Sequence, residues 1–124
     1  MKILLVDDDV FLRDMYATKF LDSGHEVDTA DGGPSALTFL NSGVSYDLIL
    51  LDMIMPGTSG VDLLQLMKEK FPNQIKNAIF LSNQGQDEDK KEAKSAGAVG
   101  YIVKADMIPS EVVKKVEEIV EKNS

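Results

Sequence analysis

The chain has 124 residues, of which 44% are apolar, and this is enough to bury the core of a single domain without crosslinks. Its formal net charge of −8 disfavours binding to nucleic acid or to an anionic membrane surface by bulk attraction. The absence of cysteine excludes disulfide bonds and thiolate metal sites, and no apolar run approaches membrane-spanning length. We therefore expect one cytoplasmic domain over residues 1–124, with no direct contact with nucleic acid and no membrane association.

Five strands are predicted along the chain. In order, they are Ile3–Val6, Val27–Ala30, Leu48–Leu51, Ala78–Leu81 and Tyr101–Val103. All but the second are continuous apolar runs, which are typical of parallel strands covered by helices on both faces. The run Val27–Ala30 is more polar, so we interpret it as an edge strand.

A helical pattern follows each predicted strand. Three of these patterns have apolar residues at helical spacing, namely Leu12, Met15, Tyr16 and Phe20, then Leu63, Leu64, Met67 and Phe71, then Val112, Val116, Ile119 and Val120. Pro34 marks the start of the second helix. The fourth, within about Asp87 to Ala96, has only Ala93 and Ala96 as apolar positions, so it is either a weakly anchored moving part or a merely solvated face. The alternation predicts an α/β fold, a doubly wound (βα)5 sandwich with a parallel sheet.

Polar side chains follow four of the predicted strands. They are Asp7 and Asp8 after the first, Asp52 after the third, Ser82 after the fourth and Lys104 after the fifth. Because the carboxyl ends of parallel strands lie along one edge of a sheet, we expect these groups to converge there. Carboxylates bind a hard divalent cation, an ammonium group holds a phosphoryl oxygen, and a hydroxyl responds to a charge placed between them.

Each of these residues also has a purely structural explanation. An aspartate after a strand is often a turn former, and Asp9 could simply cap the next helix. Ser82 could satisfy a strand end, and Lys104 could be a surface lysine. The four strand ends taken together favour a functional site.

The residues at these strand ends resemble the receiver domain of bacterial response regulators. The segments that carry the resemblance are Val6–Asp9, Leu50–Gly60, Leu81–Ser82 and Gly100–Lys104, and the match spans nearly the whole chain. The resemblance implies the flavodoxin-like strand order 2-1-3-4-5. It also implies a phosphorylation-dependent signalling switch of the single-domain, chemotaxis-regulator type, with no effector domain.

The resemblance implies a role for each residue of the site. Asp52 would be the phosphoacceptor, a carboxylate nucleophile that takes a phosphoryl group from a phosphohistidine. Asp7, Asp8 and Asp52 would hold Mg²⁺ or Mn²⁺ together with the backbone carbonyl of Ile54. Lys104 would pair with a phosphoryl oxygen. Such a protein assists only its own phosphorylation and dephosphorylation and is not otherwise an enzyme.

Ser82 and Tyr101 would form the switch. The new charge would attract the Ser82 hydroxyl, and Tyr101 would swing inward and alter the surface of the fourth helix, fifth strand and fifth helix. The sequence alone leaves open that Tyr101 is only a half-buried aromatic residue on an edge strand. The implied partners are a sensor histidine kinase or histidine phosphotransfer protein and an unknown protein target at that surface. The chain would be a monomer or a weak phosphorylation-dependent dimer.

Three positions depart from the commonest pattern of the family. Ala105 replaces a proline that usually follows the lysine with a cis bond, which costs about 3 kcal/mol for another residue. We therefore expect either a trans bond with a shifted Lys104 or a strained cis bond. Asn83 replaces a small residue and could narrow access to the site. Ile54 replaces a polar residue able to orient water, which predicts a long-lived phosphoryl group.

Three other classes of protein share parts of this pattern. Phosphatases of the haloacid dehalogenase type place a second acid two residues after the nucleophile, where this chain has Ile54. A flavodoxin-type cofactor domain needs a phosphate-binding loop after the first strand, where Asp7–Asp9 would repel phosphate. An interaction module that is independent of phosphorylation is disfavoured because no residue of the constellation is missing.

The single histidine, His25, stands beside Gly24 at a predicted turn. It has no second ligand nearby in sequence. We therefore interpret it as a surface residue rather than a metal ligand.

Overall fold

Five strands and five helices alternate in the computed structural model, which describes residues 1–83 and 85–123. The strands are β1 (Lys2–Val6), β2 (Glu26–Ala30), β3 (Tyr46–Leu51), β4 (Ile75–Ser82) and β5 (Gly100–Val103). The helices are α1 (Val10–Asp22), α2 (Gly33–Asn41), α3 (Gly60–Lys70), α4 (Asp87–Ser95) and α5 (Pro109–Lys122), and a 3₁₀ turn, Lys104–Asp106, follows β5. None of the helices in these two ranges has both the length and the apolar character required to cross a bilayer.

The strands form one parallel sheet in the order β2-β1-β3-β4-β5, which confirms the flavodoxin-like prediction. The polar strand β2 lies at one edge, as expected, and β5 lies at the other. The register pairs Val6 with Leu51, and Ser82 with Val103. The residues that follow β1, β3 and β5 therefore lie along one edge of the sheet.

Both faces of the sheet are covered by helices, which explains the continuous apolar runs. Leu4 and Ile49 belong to one buried cluster, which also contains apolar side chains of α2, α3 and α4. Ile3 and Leu48 belong to the other, which contains side chains of α1 and α5. Successive residues of a strand point to opposite faces, so consecutive positions of the central strands are apolar where both faces are covered.

Residues at the ends of the helices shape the loops at both edges of the sheet. The Asp9 side chain accepts a hydrogen bond from the Leu12 N–H (3.0 Å), so the capping role considered for Asp9 is confirmed. Gly97, just after α4, has φ +92°, a conformation that other residues rarely adopt. Within α4 itself Ala93 is the one buried residue, so the helix has little apolar contact, as its sequence indicates; this is compatible with a moving part and with a solvated face.

The interpretation of His25 as a surface residue is wrong. Its side chain is 11% exposed, and Nε2 lies 2.8 Å from Oε2 of Glu117 on α5. Its Nδ1 lies 3.0 Å from the terminal nitrogen of Met1. His25 therefore joins the turn after α1 to α5, a contact that spacing in the sequence does not reveal because Glu117 is so distant along the chain.

Gly60, the first residue of α3, provides a test of how tightly the loop after β3 is packed. A Cβ at this position would collide with the carbonyl oxygen of Asp52 and would lie 2.9 Å from the Cα of Met53. We expect Gly60→Ala to lower the free energy of unfolding by about 3 kcal/mol, because backbone atoms must move. Urea unfolding measures this change.

The matched control is Gly33→Ala at the first position of α2, where the nearest atom to a new Cβ would be a Leu63 methyl group at 3.5 Å. Alanine suits a helix better than glycine, so this variant should be as stable as the parent or up to about 1 kcal/mol more stable. Equal unfolding free energies for the two variants would contradict the packing argument.

Candidate functional site

Three carboxylates meet at the carboxyl edge of the sheet. Asp7, Asp8 and Asp52 each offer an oxygen atom, and these atoms all lie within 4.8 Å of one another. Asp7 is 1% exposed and Asp52 8% exposed, whereas Asp8 faces solvent. The cluster is therefore open on one side, and its all-oxygen donor set fits a hard divalent cation that keeps some of its water ligands.

Lys104 is buried between two of these carboxylates. Its Nζ donates to Oδ2 of Asp7 at 2.7 Å and to Oδ2 of Asp52 at 3.0 Å. The structural alternative of a surface lysine therefore does not apply. No cis peptide bond occurs in residues 1–83 and 85–123, so the Lys104–Ala105 bond is trans, and Lys104 still reaches the carboxylates from the 3₁₀ turn after β5.

The charges of the cluster determine the state of this lysine. Burial by itself would lower the pKa of Lys104, but hydrogen bonds to Asp7 and Asp52, together with their charges, raise it above its ordinary value. The ammonium group therefore remains protonated at neutral pH. It compensates only part of the negative charge of three carboxylates, so the site still attracts a cation.

A cavity of about 330 Å³ opens at this point. The residues that line it are Asp8, Asp9, Leu12, Asp52, Ile54, Ser82, Asn83 and Lys104. The Ser82 hydroxyl group therefore belongs to the same pocket as the acceptor carboxylate. Asn83 also lines this cavity, where it was expected to narrow access to the site. The N–H of Ile54 donates to Oδ1 of Asp52 at 3.2 Å, which places the backbone of Ile54 beside the cluster.

Tyr101 is half-buried and directed toward Ser82. Burial raises the pKa of Tyr101, while a hydrogen bond with the Ser82 side chain opposes this effect. Its hydroxyl also donates to Sδ of Met53 at 3.7 Å, and its ring centroid lies 6.5 Å from that of Phe80. Ser82 and Tyr101 are therefore in contact, and the tyrosine hydroxyl already points inward to the buried Met53, whereas the resemblance implies an inward movement only in response to phosphorylation.

Sequence reasoning missed two features of this edge. One is Arg13 on α1, whose Nη1 donates to the carbonyl oxygen of Asp7 at 2.9 Å and so fixes the backbone at a predicted ligand. The other is a group of exposed apolar side chains on the elements around the cavity. We call this group the apolar rim; it consists of Val10, Phe11, Ile54 and Ile108, and Phe11 is 76% exposed. Apolar residues next to Asp9 and after Lys104, where loops are usually polar, were the available signal.

Comparison with known proteins points to one family. The family model described as "Response regulator receiver domain" matches residues 3–117. The chain is 33% identical over 123 residues to the transcriptional regulatory protein ResD of Bacillus subtilis, covering 99% of this chain and 49% of that protein. It is 35% identical over 107 residues to the two-component response regulator PhoP of Pseudomonas aeruginosa, covering 84% of this chain and 45% of that protein. The chain thus spans about half the length of these relatives.

Solved structures agree with this result. The chemotaxis protein CheY4 of Vibrio cholerae has a TM-score of 0.86 and 29% identity, covering 95% of this chain and 97% of that one. The receiver domain of the Francisella response regulator 1452 has a TM-score of 0.84 and 28% identity, covering 99% of this chain and 98% of that one.

The acidic cluster predicts a response of stability to divalent cations. Millimolar Mg²⁺ should raise the melting temperature of the parent by about 4 °C, because a ligand that binds only the folded state stabilises it. Asp52→Asn should raise the melting temperature without metal, since it removes one of three like charges, and should abolish most of the Mg²⁺ effect. Thermal melts with EDTA and with Mg²⁺ measure both changes.

The control is Glu69→Gln, which changes the charge equally at an exposed position on α3. This variant should keep the Mg²⁺ response of the parent. A parent that shows no response, or an Asp52→Asn variant that responds as strongly as the parent, would contradict a clustered cation site.

Proposed function

This chain belongs to the response regulator receiver domain family, and we propose on that premise that its switch is phosphorylation of Asp52. The observation that carries the proposal is the arrangement around this carboxylate. Asp52 is buried, is hydrogen-bonded to Lys104, and stands in one cluster with Asp7 and Asp8. An acceptor in such a site has both a nucleophilic oxygen and the compensating charge that an incoming phosphoryl group requires.

The reaction follows from these contacts. A carboxylate oxygen of Asp52 forms a bond to phosphorus while the bond between phosphorus and the donor histidine nitrogen breaks; with the other ring nitrogen of the phosphohistidine protonated, the products are an acyl phosphate and a neutral imidazole. Lys104, already within 3.0 Å of Asp52, transfers a hydrogen bond to a phosphoryl oxygen. Asp7, Asp8, Asp52 and the Ile54 carbonyl would hold Mg²⁺ or Mn²⁺, which when bound supplies positive charge beside the phosphoryl oxygens.

The output in this proposal passes through Ser82 and Tyr101. A phosphoryl group on Asp52 attracts the Ser82 hydroxyl, and this changes the hydrogen bond between Ser82 and Tyr101. Tyr101 also lines a cavity of 350 Å³ on the surface formed by α4, β5 and α5, beside Lys90 and Lys94. A protein target bound at this surface would therefore sense the position of the tyrosine. Monomer and weak phosphorylation-dependent dimer are both compatible with this output.

The donor in this proposal is a sensor histidine kinase or a histidine phosphotransfer protein in the cytoplasm. Asp52 lines the cavity and is only 8% exposed, so a donor histidine must enter the cavity, and the donor surface around that histidine would then meet the apolar rim. Exposed apolar side chains such as Phe11 suit a protein surface better than a small phosphorylated metabolite. The apolar Ile54, where a general acid would be needed, argues against turnover of free phosphomonoesters.

Phosphorylation itself is tested with a small donor. Incubation with acetyl phosphate and Mg²⁺ should add one phosphoryl group to the parent and none to Asp52→Asn, because the amide is not a nucleophile of this kind. Intact mass spectrometry measures the gain, and omission of Mg²⁺ should slow it. No gain in the parent, or the same gain in Asp52→Asn, would show that Asp52 is not the acceptor.

The apolar rim distinguishes a protein donor from a small one. Phe11→Ala should slow transfer from a phosphohistidine protein about tenfold, as expected for loss of a central aromatic contact. Labelling by acetyl phosphate should be unchanged, because Phe11 does not line the acceptor cavity. Leu21→Ala, which removes an exposed apolar side chain at the other end of α1, is the control. Equal slowing with both donors would indicate a disturbed pocket instead of lost docking.

The lifetime of the phosphoryl group is tested at Ile54. This exposed side chain lines the cavity and has no atom that binds water, so hydrolytic water is left without orientation. Ile54→Asn should accelerate loss of phosphate about tenfold by positioning that water, whereas Ile54→Val should not. Intact mass followed over time after removal of acetyl phosphate gives the rates. An asparagine variant that decays no faster than the parent would exclude this explanation.

A further inference from the structure

The hydroxyl group of Tyr101 has a second partner in addition to Ser82. It donates to Sδ of Met53 at 3.7 Å, within the range of a hydrogen bond to sulfur. Met53 directly follows the proposed phosphoacceptor Asp52 and is buried. The tyrosine on the edge strand is thus connected to the loop after β3 as well as to the end of β4.

The backbone of Met53 is held firmly. Its carbonyl oxygen accepts a hydrogen bond from the Gly60 N–H at 2.8 Å, and α3 begins at that glycine. The position of a Cβ on Gly60 would be only 2.9 Å from the Cα of Met53, which shows how closely the two segments pack. The sulfur atom therefore projects from a fixed point toward Tyr101.

Sulfur at position 53 has a consequence that an aliphatic side chain would not have. Any apolar residue of similar volume would fill the core here, since Met53 belongs to the cluster beneath α3 and α4. A buried hydroxyl, however, costs free energy unless it is hydrogen-bonded. A thioether acceptor beside the Ser82 hydroxyl makes the inward position of Tyr101 more favourable than an alkyl group would. The Phe80 ring also lies next to Tyr101 in this inward position, with 6.5 Å between the two ring centroids.

We propose that Met53 is a positioning residue that holds Tyr101 inward in the unphosphorylated chain. In part of the unphosphorylated molecules, the surface of α4, β5 and α5 then already has the arrangement that phosphorylation favours. Phosphorylation increases the fraction of molecules in that arrangement. This inference goes beyond the proposed function. The position of Tyr101 in the chain without phosphate does not depend on whether Asp52 is the acceptor; only its link to phosphorylation rests on the proposed function.

The test measures access to Tyr101 by nitration with tetranitromethane, read by peptide mass spectrometry on the unphosphorylated protein. The chain has three tyrosines and no cysteine to compete for the reagent. Tyr16 and Tyr46 are buried, so they provide an internal reference in the same sample. Met53→Leu keeps the volume and removes the sulfur, and it should raise nitration of Tyr101 about threefold, as loss of one weak hydrogen bond implies. Met55→Leu, the same change at the other buried methionine of this loop, should have no effect.

A spectrophotometric titration provides a readout that a general loss of packing would not reproduce. Burial raises the pKa of Tyr101, so release of this side chain in Met53→Leu should lower the pKa of that one tyrosine toward its ordinary value. Comparison with Tyr101→Phe identifies its contribution to the titration curve. The titration curves of Tyr16 and Tyr46 should not change.

The outcomes are distinct. Faster nitration and a lower pKa of Tyr101 in Met53→Leu, but not in Met55→Leu, support the proposal. Nitration of Tyr101 that is unchanged in Met53→Leu but raised in Ser82→Ala would overturn it, because Ser82 alone would then hold the ring. Rapid nitration of Tyr101 in the parent would also overturn it. If Met53→Leu lacks the cooperative melt of the parent, Met53→Ile replaces it under the same criteria.

Discussion

A buried ammonium group between two buried carboxylates connects three separate strands at this edge of the sheet. Lys104 follows β5, Asp7 follows β1 and Asp52 follows β3, and each would be costly to bury without the others. Replacing such a pair with apolar residues often leaves a protein equally stable, so stability alone does not account for it. Its chemical value is that a lysine held by carboxylates is already in position when a phosphoryl group arrives. The interaction therefore links the architecture of the sheet to the chemistry of the site.

The sheet makes this interaction possible through its direction and register. All strands run parallel, and Val6 pairs with Leu51, so Asp7 and Asp52 emerge side by side. The same arrangement leaves a cavity at this edge. Packing on both faces requires largely apolar central strands, and the charged residues of the site follow the points where the strands end. The same sequence pattern, an apolar strand followed by a polar residue, therefore both buries the strands and places the charged side chains at the edge of the sheet.

Much of this arrangement can be predicted from the sequence because it depends on local patterns. Apolar runs indicate buried parallel strands, and the polar residues after them indicate the convergent edge. The pairing of His25 with Glu117 and the contact of Tyr101 with Met53 could not be predicted in this way. Both depend on how a turn or an edge strand packs against a distant segment, and neither leaves a periodic signal. From the sequence, the Lys104–Ala105 bond could be trans or cis, and the structure has it trans. The energetic cost of a cis bond does not show whether the Lys104 side chain can reach the carboxylates when the bond is trans.

The single buried residue of α4, Ala93, has a thermodynamic consequence for anything that binds nearby. A helix with so little apolar contact opens locally at low free-energy cost, well below that of unfolding the central strands. Its amides should accordingly be among the first helical amides to exchange with solvent. A partner that binds at α4 would then bear the entropy cost of ordering this helix. A change in the rigidity of α4 would therefore change the affinity for that partner without any displacement of the average backbone.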